Sequence, residues 1–183
     1  MSERIVFVDL DGVAADFVGH ARTVFPAIPT EEQWPLGVYD VAKILGISDA
    51  DFWTAIHALG EDWWASMPAY PWLDRLMSGA SSCGRVVVLS SPARHHGSVA
   101  GKVRWLQRHL GADFRDYVLT PAKHKHLLAG AGRILVDDLE RNVDGFRRRG
   151  NALLFSRPWN SGGLTPDPAG EALDSLRLWA EQS

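Results

Sequence analysis

The stretch Ile5-Val6-Phe7-Val8-Asp9-Leu10-Asp11-Gly12 joins a four-residue apolar run to two carboxylates and a glycine. A run this short, rich in β-branched residues and abruptly ended, reads as a strand buried on both faces, the kind a parallel sheet uses. Val86-Val87-Val88-Leu89, Ile134-Leu135-Val136 and Ala152-Leu153-Leu154-Phe155 share the pattern, and Tyr117-Val118-Leu119 is a weaker fifth. Helical spacing separates the later runs. Val99, Val103, Leu106 and Leu110 fall on one face ahead of Gly111, which reads as a C-cap. Leu139, Val143 and Phe146 repeat the spacing before Gly150, with Arg147, Arg148 and Arg149 as a solvated last turn that suits the helix dipole. Leu173, Leu176 and Ala180 mark a closing helix behind the Pro/Gly-rich loop from Gly162 to Gly170. Strands alternating with helices predict the α/β class, a doubly wound parallel sheet.

From Phe17 to about Pro71 that rhythm stops. The segment holds no convincing strand, and Trp34, Trp53, Trp63, Trp64 and Trp72 lie in or beside it. Residues 17–71 are expected to form a small, mainly helical cap inserted after the first strand, with 1–16 and 72–183 as the α/β core. A chain of 183 residues suffices for one full core plus such an appendage. A net charge of −3 and the lack of a Lys/Arg stripe argue against a nucleic-acid polymer as partner. Cys83 is the sole cysteine, which excludes an intrachain disulfide and favours a reducing compartment. No apolar run reaches membrane-spanning length, and Ile5 to Val8 stops at Asp9, unlike a secretion signal. A cytoplasmic protein is expected.

Position carries the functional reading. Asp9 and Asp11 follow the first strand, Ser90 and Ser91 the second, Thr120 the weak strand, and Asp137 and Asp138 the third apolar run. Open α/β sheets bind ligands beyond the carboxyl ends of their strands, so these side chains gather at one edge. Asp9 and Asp11, two apart on extended chain, point to the same side. Carboxylates held that close repel unless a cation neutralises them or one takes up a proton. An all-oxygen cluster favours a hard ion, and Mg²⁺ is the expected cofactor, held among Asp9, Asp11, Asp137 and Asp138. Carboxylates that merely cap turns would have no reason to recur after two separate strands.

Asp9-Leu10-Asp11-Gly12-Val13-Ala14-Ala15-Asp16-Phe17 resembles the first signature of the haloacid dehalogenase superfamily. Leu89-Ser90-Ser91-Pro92 resembles the second, a lysine near Lys125 the third, and Leu135-Val136-Asp137-Asp138 the fourth. Within that superfamily the chain is most similar to the 5′(3′)-deoxyribonucleotidase family. The similarity rests on Asp16-Phe17, on Ser-Ser-Pro where that family has Thr-Ser-Pro, on Gly101-Lys102-Val103-Arg104-Trp105 running to His109-Leu110-Gly111, and on Phe155 followed by Pro158 and Asn160. It spans Ile5 to Asn160. It implies a Rossmann-like core and hydrolysis of a phosphomonoester through a phospho-aspartate.

By that resemblance Asp9 would be the nucleophile and Asp11 the general acid, later the base. Ser90 and Ser91 would bind the phosphoryl group. The phosphate lysine would be Lys125 or Lys123, with Lys125 favoured because it stands one residue from the Leu127-Leu128 pair that opens the following apolar stretch. Mg²⁺ would sit on Asp9, the Asp11 carbonyl and Asp137, with Asp138 beside it. The chemistry agrees: a carboxylate attacks phosphorus only when a cation masks the like charge of the phosphate, and an alkoxide leaves with a donated proton. The paired arginines and Gly-Phe-Trp that animal members carry in the inserted segment are missing here.

The resemblance also places Phe17 in a base pocket with cap aromatics, Trp63 or Trp64 facing the cleft. Adjacent on a helix, those two point about a quarter turn apart and do not share a direction. Arg94 and Lys102 are candidates for a second phosphate or sugar contact. His95-His96 and the pair His124 and His126 lack the Cys or carboxylate partners of a zinc site. Gly97 to Lys102 is one residue short of a phosphate loop, with Val103 in place of its Ser/Thr. The expected activity is hydrolysis of a deoxyribonucleoside 5′- or 3′-monophosphate, with a sugar phosphate or another small metabolite as the alternative. A nucleic-acid end phosphatase and a non-catalytic binding module fit the residues less well. The expected partner is a small-molecule phosphomonoester, with no nucleic-acid polymer and no membrane, and a homodimer is left open.

Overall fold

In the computed structural model, which describes residues 3–182, the five apolar runs form one parallel sheet. β1 (Ile5–Val8) lies at its centre, between β2 (Arg85–Ser90) and β4 (Arg133–Asp137). β3 (Tyr117–Leu119) extends the sheet beyond β2, and β5 (Asn151–Leu154) extends it beyond β4. The register sets Val8 opposite both Val88 and Val136, so β2 and β4 run only two residues and one residue farther than β1, and all three bring their last residues to one edge. Side chains alternate across a sheet. Val6, Val8, Ile134 and Val136 therefore pack with α5 (Leu73–Ser81) and α8 (Pro168–Gln182), while Phe7, Leu89 and Leu135 pack with Val143 and Phe146 of α7 (Glu140–Arg147). Helices on both faces give the doubly wound α/β sheet that the sequence predicts.

Between β1 and α5 the chain forms α1 (Phe17–Ala21), α2 (Val41–Leu45), α3 (Asp49–Ala58) and α4 (Gly60–Ala65). Asp16, Asp40 and Ser48 cap the first three, each accepting a hydrogen bond from the backbone N–H three residues on. Helices this short depend on packing for their stability. Where the chain leaves and re-enters the sheet its two arms pair, Asp16 N–H donating to the Pro68 carbonyl (2.8 Å) and Tyr70 N–H to that of Ala14 (3.0 Å). The inserted helices enclose no core of their own. Phe52, Ile56, Trp63 and Trp64 share one apolar cluster with Leu10 and Val88 of the sheet region and with Trp105 and Leu106 of α6 (His96–Leu110).

On α6 the buried face differs from the expected one. Val99 is exposed and Val103 and Leu110 are half-buried, whereas Gly101, Lys102, Trp105 and Leu106 are buried. The cause is α4, which closes onto α6 at the residue without a side chain. A Cβ on Gly101 would lie 2.5 Å from the Glu61 carbonyl oxygen and closer still to Trp64 Cβ. Trp105 completes the junction by donating its indole N–H to the Met67 carbonyl (2.8 Å). Gly101→Ala should therefore force α4 and α6 apart at a cost of about 1–3 kcal/mol, as other overpacked cores show. For a chain of this length calorimetry should record a Tm lower by roughly 2–4 °C per kcal/mol. An unchanged Tm would mean that the α4–α6 contact yields without cost.

Candidate active site

The chain turns as soon as β1 ends. Asp9 is 7% exposed, and its Oδ1 accepts from the Leu10 N–H (2.7 Å) and lies 2.8 Å from Lys125 Nζ. Gly12, at φ +80°, completes the turn, and its bare Cα leaves room for Asp138, whose Cγ would stand 2.8 Å from a Cβ there. β4 delivers Asp137 and Asp138 alongside. Asp137 accepts from Lys125 Nζ (2.7 Å), from Asn142 Nδ2 at both oxygens (3.1 Å each) and from the Leu139 N–H (2.9 Å). Asp138 Oδ2 accepts from the Trp159 indole (2.6 Å), and its carbonyl accepts from Asn160 Nδ2 (2.7 Å). Asp9, Asp137 and Asp138 each offer an oxygen within 4.8 Å of the others, and no histidine joins this group.

Lys125 reaches the cluster from a 3₁₀ helix, Ala122–Leu128, and is 1% exposed, while Lys123 stays at the surface. Ser90 is buried at the end of β2, and the Ser91 hydroxyl is buried with no hydrogen-bond partner. Asp11 gives Oδ2 to Lys102, whereas its buried Oδ1 has no partner.

These charges shape one another. Burial first, then Asp137 and Asp11, push the Asp9 carboxyl up to about 7 against the opposing pull of Lys125. Burial, Asp137 and Asp9 likewise raise Asp138 well above the usual carboxylate range. Burial by itself would lower the Lys125 ammonium, but Asp9 and Asp137 outweigh it and hold it above the ordinary lysine value. Ionised together, Asp9, Asp11, Asp137 and Asp138 would outnumber the two buried ammonium groups, Lys102 and Lys125, by two charges, which is why Asp9 and Asp138 are driven toward their protonated forms. A cluster of buried oxygens so placed fits a hard divalent cation.

The expected pocket residues are placed differently. Trp63 and Trp64 are 8% and 1% exposed, so neither faces a cleft. Trp64 stacks on Phe17 at 5.7 Å between ring centroids and Trp63 meets it edge-on at 5.8 Å, because a small insertion has little else to bury. Lys102 is fully buried, its three donors directed to Asp11 Oδ2, Ser90 Oγ (3.0 Å) and the Ser91 carbonyl (2.8 Å), and it makes no surface contact for a substrate. Arg94 is exposed on the loop after Ser91.

Two aromatics that the sequence did not single out for the site remain partly open, Trp53 and Tyr39. Trp53 meets Phe17 at 6.0 Å and His57 at 5.9 Å, and His57 stacks on His95 at 5.3 Å, so a line of rings runs from Phe17 to the loop behind Ser91. Tyr39 is 48% exposed. Partial burial, followed by the charges of Asp138, Asp9, Asp137 and Asp11, raises its pKa well above the usual phenol value. The Gly37 N–H donates to the Pro158 carbonyl (3.0 Å) and Trp34 packs on Trp159 at 5.5 Å, which holds the Tyr39 loop beside Asp138. Asn142 and Trp159 were also missed. Asn142 had a signal, a polar residue one helical turn past the Asp pair, whereas Tyr39 had none.

The fold and this acidic edge define a haloacid dehalogenase-like hydrolase. Solved structures with the same fold include a haloacid dehalogenase-like family hydrolase from Xanthomonas campestris, with a TM-score of 0.61 and 12% identity over 100% of both chains. A predicted phosphatase from Clostridium acetobutylicum gives 0.55 and 14% over 100% of both. A haloacid dehalogenase family hydrolase from Deinococcus radiodurans with bound phosphate and sodium gives 0.53 and 14% over 95% of this chain and 88% of that one. At such identities the likeness is one of fold. The family model described as 5′ nucleotidase, deoxy (Pyrimidine), cytosolic type C protein matches residues 3–163. The chain belongs to that family, and it is a phosphoric monoester hydrolase. No curated protein matches it.

The Asp9 shift has a sign that melting experiments can read. Its carboxyl holds a proton in the folded state up to about pH 7 but only to 3.8 when unexposed to this environment, so the folded chain binds more protons across that window. Without metal, the contribution of Asp9 is fully present below the lower value and is lost as pH rises through the upper one. In chelator, the Tm of the wild type relative to Asp9→Asn should fall from pH 4 to 7, and Mg²⁺ at pH 7.5 should raise the wild-type Tm by binding the folded state. A difference independent of pH would show that Asp9 ionises freely.

Proposed function

We propose that this hydrolase acts on nucleoside monophosphates, deoxyribonucleosides above all, using Mg²⁺ and a phospho-aspartate on Asp9. The observation that carries the reading is Asp9 itself: a buried carboxylate with one oxygen held by the Leu10 N–H and Lys125, inside an acidic cluster. Asp9, Asp138 and the Asp11 carbonyl would hold the ion. Asp137, with both oxygens engaged by Lys125, Asn142 and Leu139, would anchor the lysine. Bound there, Mg²⁺ masks the repulsion between the phosphate and Asp9.

The chain's own residues supply the rest. Asp9 attacks phosphorus, the bond from phosphorus to the leaving oxygen breaks, and Asp11 gives that oxygen its proton. Asp11 then takes a proton from the water that attacks the phospho-aspartate, releasing inorganic phosphate and restoring Asp9. Ser90, Ser91 and Lys125 donate to the phosphoryl oxygens. The orphaned Ser91 Oγ and Asp11 Oδ1 support this, since buried polar atoms without partners cost about 1–3 kcal/mol each and a bound phosphomonoester would satisfy both. Residues 17–71 act as the cap, with Phe17, Trp53 and Tyr39 as the surface for a base. Cytoplasmic location fits the buried free thiol of Cys83, and among the described residues no helix is long and apolar enough to cross a membrane.

Asp9→Asn should bring turnover to background while the circular dichroism spectrum stays native, because an amide is no nucleophile. Steady-state turnover by clean Asp9→Asn protein would remove the nucleophile assignment.

Substrate class has its own test. Base stacking contributes about 1–3 kcal/mol per base, so a deoxyribonucleoside monophosphate should exceed ribose 5-phosphate in kcat/KM by roughly 5- to 150-fold. Trp53→Ala should erode that advantage and leave the baseless substrate nearly unchanged. Equal treatment of the sugar phosphate and every nucleotide would replace the nucleotidase reading with a sugar-phosphate phosphatase.

A further inference from the structure

We infer that Lys102 is a positioning residue for hydrolysis: its buried ammonium orients Asp11 toward the leaving oxygen. An ammonium carries three donors and no acceptor. Lys102 directs all three inward, to Asp11 Oδ2, Ser90 Oγ (3.0 Å) and the Ser91 carbonyl (2.8 Å), and is 0% exposed. It has no donor left for substrate, so its influence on the reaction passes through those three groups.

Each contact has a directional consequence. With Oδ2 tied to Lys102, Asp11 keeps one oxygen for the reaction, Oδ1, which is buried and unpartnered. Ser90 Oγ accepts from Lys102, so its own O–H is left to donate elsewhere, and a donor is what a phosphoryl oxygen requires. The bond to the Ser91 carbonyl fixes the chain that carries the orphaned Ser91 hydroxyl. Lys125 does not duplicate this role, because it is engaged by Asp9 and Asp137. The two buried lysines thus divide the site, one serving the nucleophile and the other the acid.

The fold holds Lys102 in place. It sits in α6 one residue after Gly101, where α4 closes in, and its ammonium lies 5.4 Å from the centre of the Trp64 ring. A charge with no exposed surface is stable only when paired, and Asp11 is the one carboxylate among its three partners. Asp11 keeps a side chain 28% exposed, so it tolerates loss of the lysine better than a sealed carboxylate would.

The inference rests on the acid role proposed for Asp11, and the leaving group separates the two. Alkyl phosphates need a proton at the leaving oxygen; an aryl phosphate with an acidic phenol does not. General acid catalysis contributes on the order of 10²- to 10⁴-fold. In rapid-quench experiments at saturating substrate and Mg²⁺, which read the phosphoryl-transfer step before the phospho-aspartate hydrolyses, Lys102→Met should slow release of the nucleoside by about 100-fold and of the phenol by less than about 10-fold. Asp11→Asn serves as the reference. If Asp11→Asn shows the same selectivity and Lys102→Met slows both releases equally, Lys102 is merely structural and the inference fails. If Asp11→Asn is itself unselective, the acid role fails instead, and Lys102 loses the group it is inferred to orient. Should Lys102→Met not give a native circular dichroism spectrum, Lys102→Arg decides. The charge is kept but the geometry is not, so a selective loss on the alkyl substrate supports positioning and full activity on both overturns it.

Discussion

Where β1, β2 and β4 end, four carboxylates meet two ammonium groups that the fold has sealed from water. Buried charges are costly unless paired and hydrogen-bonded, and the local structure can be understood as the arrangement that meets this condition. A 3₁₀ helix brings Lys125 between Asp9 and Asp137; α7 brings Asn142 beneath Asp137; the segment after β5 brings Trp159 and Asn160 to Asp138. Gly12 lets β1 and β4 place their carboxylates at this proximity. Even so, the pairing is incomplete, and the three buried carboxylates Asp9, Asp137 and Asp138 stand close enough to fit a cation.

The inserted helices are joined to that edge through apolar packing. Trp64 lies between Phe17 and Gly101, so the same indole helps to shape the residue after Asp16 and the helix that carries Lys102. A second tie runs through Arg157, which is 2% exposed, pairs with Glu31 of the insertion and lies 4.4 Å from the Tyr70 ring and 4.6 Å from the Trp159 ring. Trp159 in turn holds Asp138. The inserted helices and the acidic edge therefore rest on shared side chains, and a change in one is felt by the other.

Much of the site was legible because it depends on local order. An apolar run followed at once by a carboxylate identifies a strand end, and Asp9, Ser90 and Asp137 each stand at one. Lys125 against Lys123 was a matter of which residue a 3₁₀ helix turns inward, which spacing alone leaves open. Trp63 and Trp64 were misplaced because adjacent helical residues cannot both face one flat core, yet both are enclosed when a small domain wraps around them. Lys102 was expected to offer a second phosphate or sugar contact. It is buried because α4 covers a helix face that carries few apolar residues, and the apolar pattern on its neighbours, Val99 and Val103, gave no warning.

The sequence by itself determined the strands, the sheet class and the carboxylates at their ends, since these follow from periodicity and from which residue comes next along the chain. Only the tertiary structure decided which lysine serves which carboxylate and which aromatics stay open. Those outcomes depend on contacts between segments many residues apart. Their energies are set by burial and charge in three dimensions, and no local pattern encodes them.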